Sequence, residues 1–350
     1  MTRILTNAPV LVTGANGYIA SWLVKQLLEQ GHQVHGTVRD KTNTHKVGHL
    51  LTLADAFPGQ LTLFNADLFN EGEFDDAMLS CEYVFHTASP FIIRGLNDPQ
   101  KELVDPALKG TRNVLASANR IDSVKRVILT SSVVAIYGDY VDMQNINEDV
   151  FSEKHWNTTS SLQHQPYSYS KTVAEQEANK IHTSQTRWDM VTLNPGLVLG
   201  PSLAQASDST SLSTMLELMD GTLQTGAPNL RFPIVDVRDV ATAHILAANT
   251  ASANGRHVLV ASSVSMLEMA KTIREKFASR CKLPRWEVPK AAVWLVGPFM
   301  GITRDFVKNN VGYAIEFDNS KAKQSLGLTF RPLAETILDH AEQIIEDGLV

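Results

Sequence analysis

The first 200 residues alternate short apolar runs with helical patterns, and this alternation restricts the chain to few folds. Six runs are rich in β-branched residues and have few polar interruptions, as strands buried on both faces of a parallel sheet do. These runs are Val10–Val12, Gln33–Val38, Leu61–Phe64, Tyr83–His86, Arg126–Leu129 and Met190–Leu193. A helical pattern over Ile19–Gln30 stops at Gly31, where a C-cap glycine is expected. The order of strands and helices predicts an α/β fold with a doubly wound parallel sheet.

A glycine-rich turn, Thr13-Gly14-Ala15-Asn16-Gly17-Tyr18-Ile19-Ala20, lies between the first strand and the first helix. Gly14 permits a tight turn, Gly17 lets the backbone approach a pyrophosphate, and Ala20 allows close packing of helix on sheet. The start of the helix adds free N–H groups and the positive end of its dipole. The residues of this turn expected to bind a dinucleotide are Gly14, Asn16, Gly17, Tyr18 and Ile19.

The composition of the chain changes after Pro201. Residues 202–229 are rich in Ser, Thr, Ala and Gly, and residues 256–350 combine one strand with several helical patterns. We expect these parts to lie over the carboxyl ends of the strands, where ligands of open α/β sheets bind. The expected division is a Rossmann-type dinucleotide-binding domain, residues 1–201 plus 232–255, and a smaller C-terminal substrate-binding lobe, residues 202–231 plus 256–350.

The end of the second strand indicates which dinucleotide is bound. NAD-specific sites usually place an acidic residue there for the ribose hydroxyls, whereas an arginine suits a 2′-phosphate. Here Arg39 follows Val38, Lys46 comes seven residues later, and Asp40 adds a competing carboxylate. The pattern therefore favours NADPH/NADP+ over NADH.

Three later loops complete the expected cofactor site. Asp67 follows the third strand and can accept a hydrogen bond from the adenine amine. The small residues after the fourth strand let the cofactor pass close, and the segment Asn194–Pro201 can present N–H and C=O groups to the carboxamide. The residues expected to contact the cofactor here are Asp67, Leu68, Thr87, Ala88, Ser89, Pro195 and Val198.

Tyr167 and Lys171 stand one turn apart on one face of a predicted helix. A free tyrosine has a pKa near 10. A cation close by lowers that pKa by roughly 1–3 units, toward the range useful for general acid catalysis. We expect Tyr167 to donate a proton and Lys171 to lower its pKa, with both residues also contacting the cofactor.

A serine pair follows the fifth strand in Leu129-Thr130-Ser131-Ser132. A hydroxyl at the end of this strand can hold the carbonyl oxygen of a substrate beside the Tyr167 hydroxyl. We expect Ser132 to have this role. Ser131 stays an alternative because the sequence does not show which serine faces the site.

Composition and charge favour a soluble enzyme with a small-molecule substrate. The hydrophobic fraction is 43% and the charged fraction 19%, as in ordinary globular proteins. The net charge of −6 is spread without runs, so neither nucleic acid nor membrane is an expected partner. Cys81 and Cys281 lack metal-ligand spacing, so no metal is expected and both thiols should be reduced. We expect a cytoplasmic monomer or homodimer without a targeting segment.

These motifs resemble the extended short-chain dehydrogenase/reductase superfamily. They are most similar to the branch that holds dihydroflavonol 4-reductases, cinnamoyl-CoA reductases and microbial NADPH-dependent aldehyde and ketone reductases. The resemblance is carried by Val12–Ala20, Thr37–Asp40, Ala66–Leu68, Phe85–Pro90, Leu129–Ser132, Glu148–Trp156, Tyr167–Lys171, Asn194–Pro201 and Asp318–Gly327. It implies a Ser-Tyr-Lys triad at Ser132, Tyr167 and Lys171, with NADPH as the hydride donor. It also implies that Arg39 and Lys46 bind the 2′-phosphate.

The likeness is weaker where the substrate is chosen. Ser132 is followed by Val133-Val134-Ala135-Ile136-Tyr137, without the polar residue that plant flavonoid reductases use for ring hydroxyls. We expect a fairly apolar carbonyl compound, dihydroflavonol-like or other, with its choice set by residues 202–230 and 285–310. The residues expected to wall the pocket are Phe91, Ile92, Val133, Val134, Leu212, Met215, Trp294 and Phe299.

The leading hypothesis is NADPH-dependent reduction of an aldehyde or ketone to the alcohol, and two other functions fit parts of the pattern. A NAD-dependent nucleotide-sugar epimerase or dehydratase is disfavoured by Arg39 and by the lack of an evident nucleotide-binding basic cluster late in the chain. A non-catalytic NADP-sensing regulator would keep the glycine turn and commonly lose the tyrosine or the lysine, and both are present here.

Overall fold

The computed structural model describes residues 8–89, 98–146, 148–204 and 210–350. The strands in these ranges are β1 Val10–Thr13, β2 Val34–Val38, β3 Leu61–Asn65, β4 Tyr83–His86, β5 Arg126–Thr130, β6 Asp189–Pro195, β7 Leu197–Leu199, β8 Ala227–Pro228, β9 Arg231–Asp236, β10 Gly255–Leu259, β11 Ser262–Ser265 and β12 Glu287–Val288. The helices are α1 Tyr18–Glu29, α2 Thr44–Ala56, α3 Asp75–Met78, α4 Asp105–Arg120, α5 Pro166–Thr183, α6 Thr210–Met219, α7 Val237–Asn249, α8 Met266–Phe277, α9 Lys290–Val296, α10 Arg304–Asn310, α11 Ser320–Leu326 and α12 Leu333–Glu346. Short 3₁₀ turns lie at Val133–Ala135, Tyr140–Asn145 and Gly297–Met300, and a π-helical turn at Gln100–Val104 leads into α4.

The main sheet has seven parallel strands in the order β10-β6-β5-β4-β1-β2-β3. The strands β1 to β6 are the six predicted from the apolar runs, so the predicted doubly wound sheet is confirmed. The strand order reverses at β1, which lies between β2 and β4, with Val12 opposite both Gly36 and Phe85. A reversal of this kind leaves a crevice at the carboxyl ends of the strands, where ligands of such sheets bind.

Both faces of the main sheet are covered by helices, which is why its strands read as continuous apolar runs. One face packs against α1, α2 and α7 through residues such as Leu23, Leu50 and Val240. The other packs against α3, α4 and α5 through residues such as Met78 and Leu115. The helix predicted to end before Gly31 does so, and Gly31 has a φ of 80°.

A smaller lobe follows the sixth strand. The strands β7, β9 and β11 form a second sheet, in which β9 pairs parallel with β7 and antiparallel with β11. The helices α6, α8 and α12 build a separate apolar core around Met215, Met269 and Ile344. A capping box between Ser265 and Glu268 begins α8.

The strands cross the domain boundary expected from the sequence. The division between residues 255 and 256 passes through β10, which pairs with β6 as the seventh strand of the main sheet. The division between residues 231 and 232 passes through β9, which belongs as a whole to the second sheet although residues 232–236 were expected in the Rossmann domain. Ala322 and Leu326 of α11 also pack into the core of the main sheet. We therefore propose that the dinucleotide domain includes β10 and α11, and that β9 belongs to the lobe.

Membrane insertion would need a long apolar helix. In the part of the chain that the structure describes, no helix combines the length and the apolar character that a membrane span requires.

Candidate active site

The loop after β1 forms a tight turn against the loop after β4. Gly14 has a φ of 62°, and a Cβ built on it would lie 3.0 Å from the Cβ of Ala88. A side chain at Gly14 would therefore meet both backbone strain and a steric contact. Gly17 is the N-cap of α1, and as a glycine it offers no side-chain acceptor to the first N–H groups of the helix. Asn16 beside it is half-buried. The first N–H groups of a helix have no intrahelical acceptor, so this end of α1 fits an anionic group.

The Tyr18 side chain contacts the chain that follows β7, and a cofactor contact of Tyr18 stays a prediction. Its hydroxyl donates a hydrogen bond to the carbonyl of Gly200, and burial raises its pKa well above the usual value. Trp22 donates similarly to the carbonyl of Pro201 at 2.7 Å. The Tyr18 side chain therefore anchors the chain that follows β7, and its backbone N–H belongs to the first turn of α1. Ile19 packs partly buried against the core of the main sheet.

Two exposed cations, Arg39 and Lys46, follow β2 in the chain. Arg39 follows the last residue of β2 and is exposed, and Lys46 is exposed in the first turn of α2. The Asp40 carboxylate accepts hydrogen bonds from the N–H and the hydroxyl of Thr42, at 2.9 and 2.6 Å. The hydroxyl bond is the main reason that the pKa of Asp40 is lowered. Asp40 is thus engaged within its own turn.

The loop after β3 is held in place by its neighbours. The Asp67 carboxylate accepts a hydrogen bond from the N–H of Phe69 at 2.9 Å. The Leu68 carbonyl accepts one from Asn113 at 2.7 Å. Asp67 and Leu68 come after β3, which pairs parallel with β2. Both residues therefore lie at the same end of the sheet as Arg39.

The loop after β4 connects the glycine turn with α5. The Thr13 hydroxyl accepts hydrogen bonds from the N–H groups of Thr87 and Ala88, at 3.1 and 3.0 Å. The next residue, Ser89, accepts a hydrogen bond from Lys171 Nζ at 2.7 Å. The structure therefore brings Gly14, Ala88, Ser89 and Lys171 to one edge of the sheet.

Tyr167 and Lys171 lie on one face of α5, and the Lys171 nitrogen is 5.6 Å from the centre of the Tyr167 ring. Burial lowers the pKa of Lys171 to about 8. Burial also raises the pKa of Tyr167. Desolvation is the cause of this rise, and the Lys171 nitrogen lies beside the ring and bonds Ser89. The expected lowering of the Tyr167 pKa by Lys171 is therefore absent from this arrangement.

The two serines after β5 have different surroundings. The Ser131 hydroxyl is buried and donates to the carboxylate of Glu175. The half-buried Ser132 begins the 3₁₀ turn Val133–Ala135, which packs against α5. The Ser132 oxygen accepts a hydrogen bond of 3.3 Å from the N–H of Val134. The two hydroxyls therefore have different partners, and contact of Ser132 with a substrate stays a prediction.

The segment after β6 is fixed by both sheets. Pro195 ends β6 and pairs with Leu259, and the N–H of Gly196 bonds the carbonyl of Leu259 at 3.0 Å. Val198 pairs with Val235, and its side chain lies in the core of the main sheet. Cofactor contacts of Pro195 and Val198 stay predictions.

The residues expected to wall the substrate pocket are dispersed. Val133 and Val134 follow Ser132 and pack into a small core with Ile315. Leu212 packs beside Met215, which is buried in the core of the lobe. Trp294 and Phe299 are exposed. Phe91 and Ile92 lie outside the described residues.

Residues that the sequence reading did not select also meet at this site. Glu175, one turn after Lys171, is 1% exposed and binds the guanidinium of Arg256. Gln165, two residues before Tyr167, has a φ of 55°. A glutamate four residues after Lys171 was a visible signal, because it lies on the same helix face. No comparable local signal marks Arg256. Across the described ranges, no group of three or more His, Cys, Asp or Glu side chains is placed to hold a metal ion.

Comparison with known proteins identifies the family. The model of the NAD dependent epimerase/dehydratase family matches residues 10–261. The chain belongs to this family. This membership of the extended short-chain dehydrogenase/reductases confirms the resemblance inferred from the motifs.

Relatives within the epimerase/dehydratase family are named reductases. Cinnamoyl-CoA reductase CAD2 of Medicago truncatula is 41% identical over 96% of this chain and 95% of its own. An anthocyanidin reductase of Vitis vinifera is 36% identical over 79% of this chain and 82% of its own. The structure of yeast methylglyoxal/isovaleraldehyde reductase Gre2 complexed with NADPH covers 98% of this chain and 100% of its own, with 26% identity and a TM-score of 0.76.

Proposed function

We propose that this chain catalyses NADPH-dependent reduction of an aldehyde or ketone to the alcohol, with Ser132, Tyr167 and Lys171 as its catalytic residues. The observation that carries the proposal is the bond from Lys171 to Ser89, 2.7 Å long. It joins the helix that bears Tyr167 to the loop that lies against Gly14, so the proton donor and the dinucleotide turn share one crevice. The reductase names of the relatives, and the NADPH in the Gre2 structure, support the same class of reaction.

The residues around the glycine turn suit NADPH. The close approach of Gly14 to Ala88 leaves no room for a side chain, as backbone contact with a pyrophosphate requires. In this proposal the first turn of α1 binds the pyrophosphate, and Arg39 and Lys46 bind the 2′-phosphate. Asp67 accepts from the adenine amine, and Lys171 bonds the nicotinamide ribose. When bound, NADPH supplies a hydride to the carbonyl carbon.

The residues of the chain supply the proton and hold the oxygen. The Ser132 hydroxyl donates a hydrogen bond to the carbonyl oxygen, and the Tyr167 hydroxyl transfers its proton to the same oxygen as the carbon gains a hydride. The oxygen thereby becomes the alcohol, and Tyr167 is left as a phenolate. Because the pKa of Lys171 is about 8, its side chain is mostly protonated at pH 7. In this proposal its charge stabilises that phenolate against the desolvation that raises the pKa of Tyr167.

The test compares two tyrosines on one helix in an assay of NADPH consumption with aldehydes, ketones and nucleotide sugars. Tyr167→Phe should bind NADPH normally but lose about 10²–10⁴-fold in kcat, the range that general acid catalysis contributes. Tyr169→Phe is the matched control, because Tyr169 lies on the same helix without a lysine four residues later. Turnover of Tyr167→Phe within a few-fold of the wild type, or wild-type activity on nucleotide sugars alone, would contradict the proposal.

A further inference from the structure

The catalytic face of α5 carries a third charged residue. Glu175 lies one helical turn beyond Lys171 and two turns beyond Tyr167, so the three side chains share one face. The Glu175 residue is 1% exposed. A buried carboxylate is costly unless a cation and other hydrogen-bond donors surround it, so the partners of Glu175 show what it organises.

Three donors from three different strand segments converge on this carboxylate. Arg256 of β10 donates from Nε to one carboxylate oxygen at 2.5 Å. The other oxygen accepts from the hydroxyl of Ser131, after β5, and from the amide of Asn194, in β6, at 2.8 Å. Glu175 thus joins the catalytic helix to the carboxyl ends of β5 and β6.

Asn194 extends this connection to the catalytic serine. Its side-chain nitrogen also donates to the backbone carbonyl of Ser132 at 3.1 Å. The chain of contacts therefore runs from Glu175 through Asn194 to Ser132. Because Tyr167 and Glu175 belong to one rigid helix, these bonds set the position of Ser132 relative to Tyr167.

Arg256 extends the network to the turn that follows Ser132. Arg256 is 7% exposed, and its guanidinium carbon lies 4.0 Å from the centre of the Trp156 ring. It donates to the carbonyl of Ala135 at 3.2 Å, in the 3₁₀ turn that Ser132 begins, and to the carbonyl of Glu153 at 3.0 Å. The turn after Ser132 is thus held from the same ion pair.

We propose that Glu175 is a positioning residue that, through Asn194, Ser131 and Arg256, holds the Ser132 hydroxyl in register with Tyr167 and Lys171. This inference rests on the proposed function, because it takes Ser132 as the residue that holds the carbonyl oxygen. Glu175 itself contacts neither substrate nor cofactor in this proposal. It implies that removing the carboxylate lowers kcat through misplacement of Ser132, while NADPH binding is kept. A purely structural ion pair would instead affect stability alone.

The experiment compares three variants by kcat, KM for the carbonyl substrate, NADPH affinity and Tm. Glu175→Gln keeps the shape of the side chain but replaces one acceptor oxygen with an NH2 group, which then faces one of the donors Arg256, Ser131 and Asn194. The double variant Glu175→Met with Arg256→Met removes both charges, a change that often preserves stability when breaking one partner does not. Asp239→Asn is the matched control, because Asp239 is a carboxylate 2% exposed that also binds an arginine, Arg331, away from α5.

We expect Glu175→Gln and the double variant to lose at least about tenfold in kcat, since a misplacement near 1 Å can cost as much or more. NADPH affinity should stay within about twofold, and the double variant should have a higher Tm than Glu175→Gln without regaining kcat. Asp239→Asn should lower Tm while leaving kcat within about twofold. Full kcat in the double variant, or an equal loss of kcat in Asp239→Asn, would overturn the inference.

Crystal structures of the wild type and Glu175→Gln separate this inference from the proposed function. The distance from Ser132 Oγ to the Tyr167 hydroxyl should change by more than about 0.5 Å, the tolerance of a productive site. An unchanged distance would overturn the role of Glu175 even if the wild type reduces carbonyls. A wild type that reduces no carbonyl would contradict the proposed function, whereas a shifted Ser132 would still support the positioning role.

Discussion

At the scale of single residues, neighbours in the sequence have separate tasks in the structure. The hydroxyl of Ser131 is turned inward to Glu175, whereas the half-buried Ser132 begins the turn against α5. A strand end with two serines therefore leaves one hydroxyl bonded to a buried carboxylate and the other half-buried at the start of a turn. The same separation holds at the tip of β2, where Asp40 is engaged by Thr42 and Arg39 is exposed.

The serine pair leads to a comparison of two adjacent variants. Ser132→Ala should lower kcat by about 10²–10³-fold, as loss of one oxyanion donor does. Ser131→Ala should lower kcat less than about tenfold, because it removes one of three donors to Glu175. Steady-state kinetics, with Tm measured for both variants, checks the order. A larger loss in Ser131→Ala would identify Ser131 as the residue that contacts the substrate.

Arg39 is expected to decide between the two nicotinamide dinucleotides. Hydrogen bonds to a charged group contribute about 1.5–3 kcal/mol, so Arg39→Ala should weaken NADPH binding about 10–100-fold. NADH binding should change by less than about threefold, since NADH has no 2′-phosphate. Lys41→Ala, an exposed cation two residues later, serves as the control in fluorescence titrations. Equal losses for NADPH and NADH in Arg39→Ala would refute the assignment.

At the scale of elements, the start of α5 is an unusual helix entry. Gln165 adopts a left-handed backbone conformation with a φ of 55°, and Pro166 follows as the first helical residue. Proline at that position suits a helix start, but a left-handed glutamine costs about 1–2 kcal/mol. Its side chain offsets this strain by donating to Gly138 at 2.9 Å and to Asp139 at 2.8 Å.

This strain predicts different effects of two small substitutions. Gln165→Gly and Gln165→Ala both remove the side-chain amide, but glycine tolerates a positive φ and alanine does not. We expect Gln165→Gly to be about 1 kcal/mol more stable to unfolding than Gln165→Ala. Denaturant titrations of both variants measure the difference. Equal stabilities would mean that the chain relaxes out of the left-handed conformation.

At the scale of the whole molecule, the lobe is joined to the dinucleotide domain through the chain that follows β7. Tyr18 and Trp22 of α1 hold the carbonyls of Gly200 and Pro201. The side-chain amide of Gln343, in α12, accepts a hydrogen bond from the N–H of Ser202 at 2.6 Å and donates one to its carbonyl at 2.7 Å. These contacts use backbone groups of the linking segment, so they tolerate changes of its side chains.

That anchoring makes residues 202–230 suitable for exchange with the equivalent segment of a related reductase. The backbone contacts of Ser202 should survive, and α6 should bring different side chains to the lobe. We expect the ranking of carbonyl substrates to change while NADPH affinity stays within about twofold. Kinetics on a substrate panel and NADPH titration test this. A fixed ranking with weakened NADPH binding would place the segment at the dinucleotide site.

The sequence alone was sufficient for six of the seven strands of the main sheet and for the parts of the candidate site that are local. Strands buried on both faces are continuous apolar runs, so six strands were predictable from their own residues. The glycine turn and the Tyr167–Lys171 pair are also contained in short segments. Their placement at one crevice follows from the parallel order of the strands, whereas their roles stay predictions until the variants are measured.

The tertiary structure decided what depends on residues far apart in the chain. The strand β10 joins the main sheet by pairing with β6, which its own sequence does not specify. The inward bond that distinguishes Ser131 from Ser132 depends on Glu175, and Glu175 depends on Arg256, 81 residues later. A buried carboxylate is tolerated only where its cation and donors converge. That convergence is a property of the packed molecule, because no local pattern of residues encodes it.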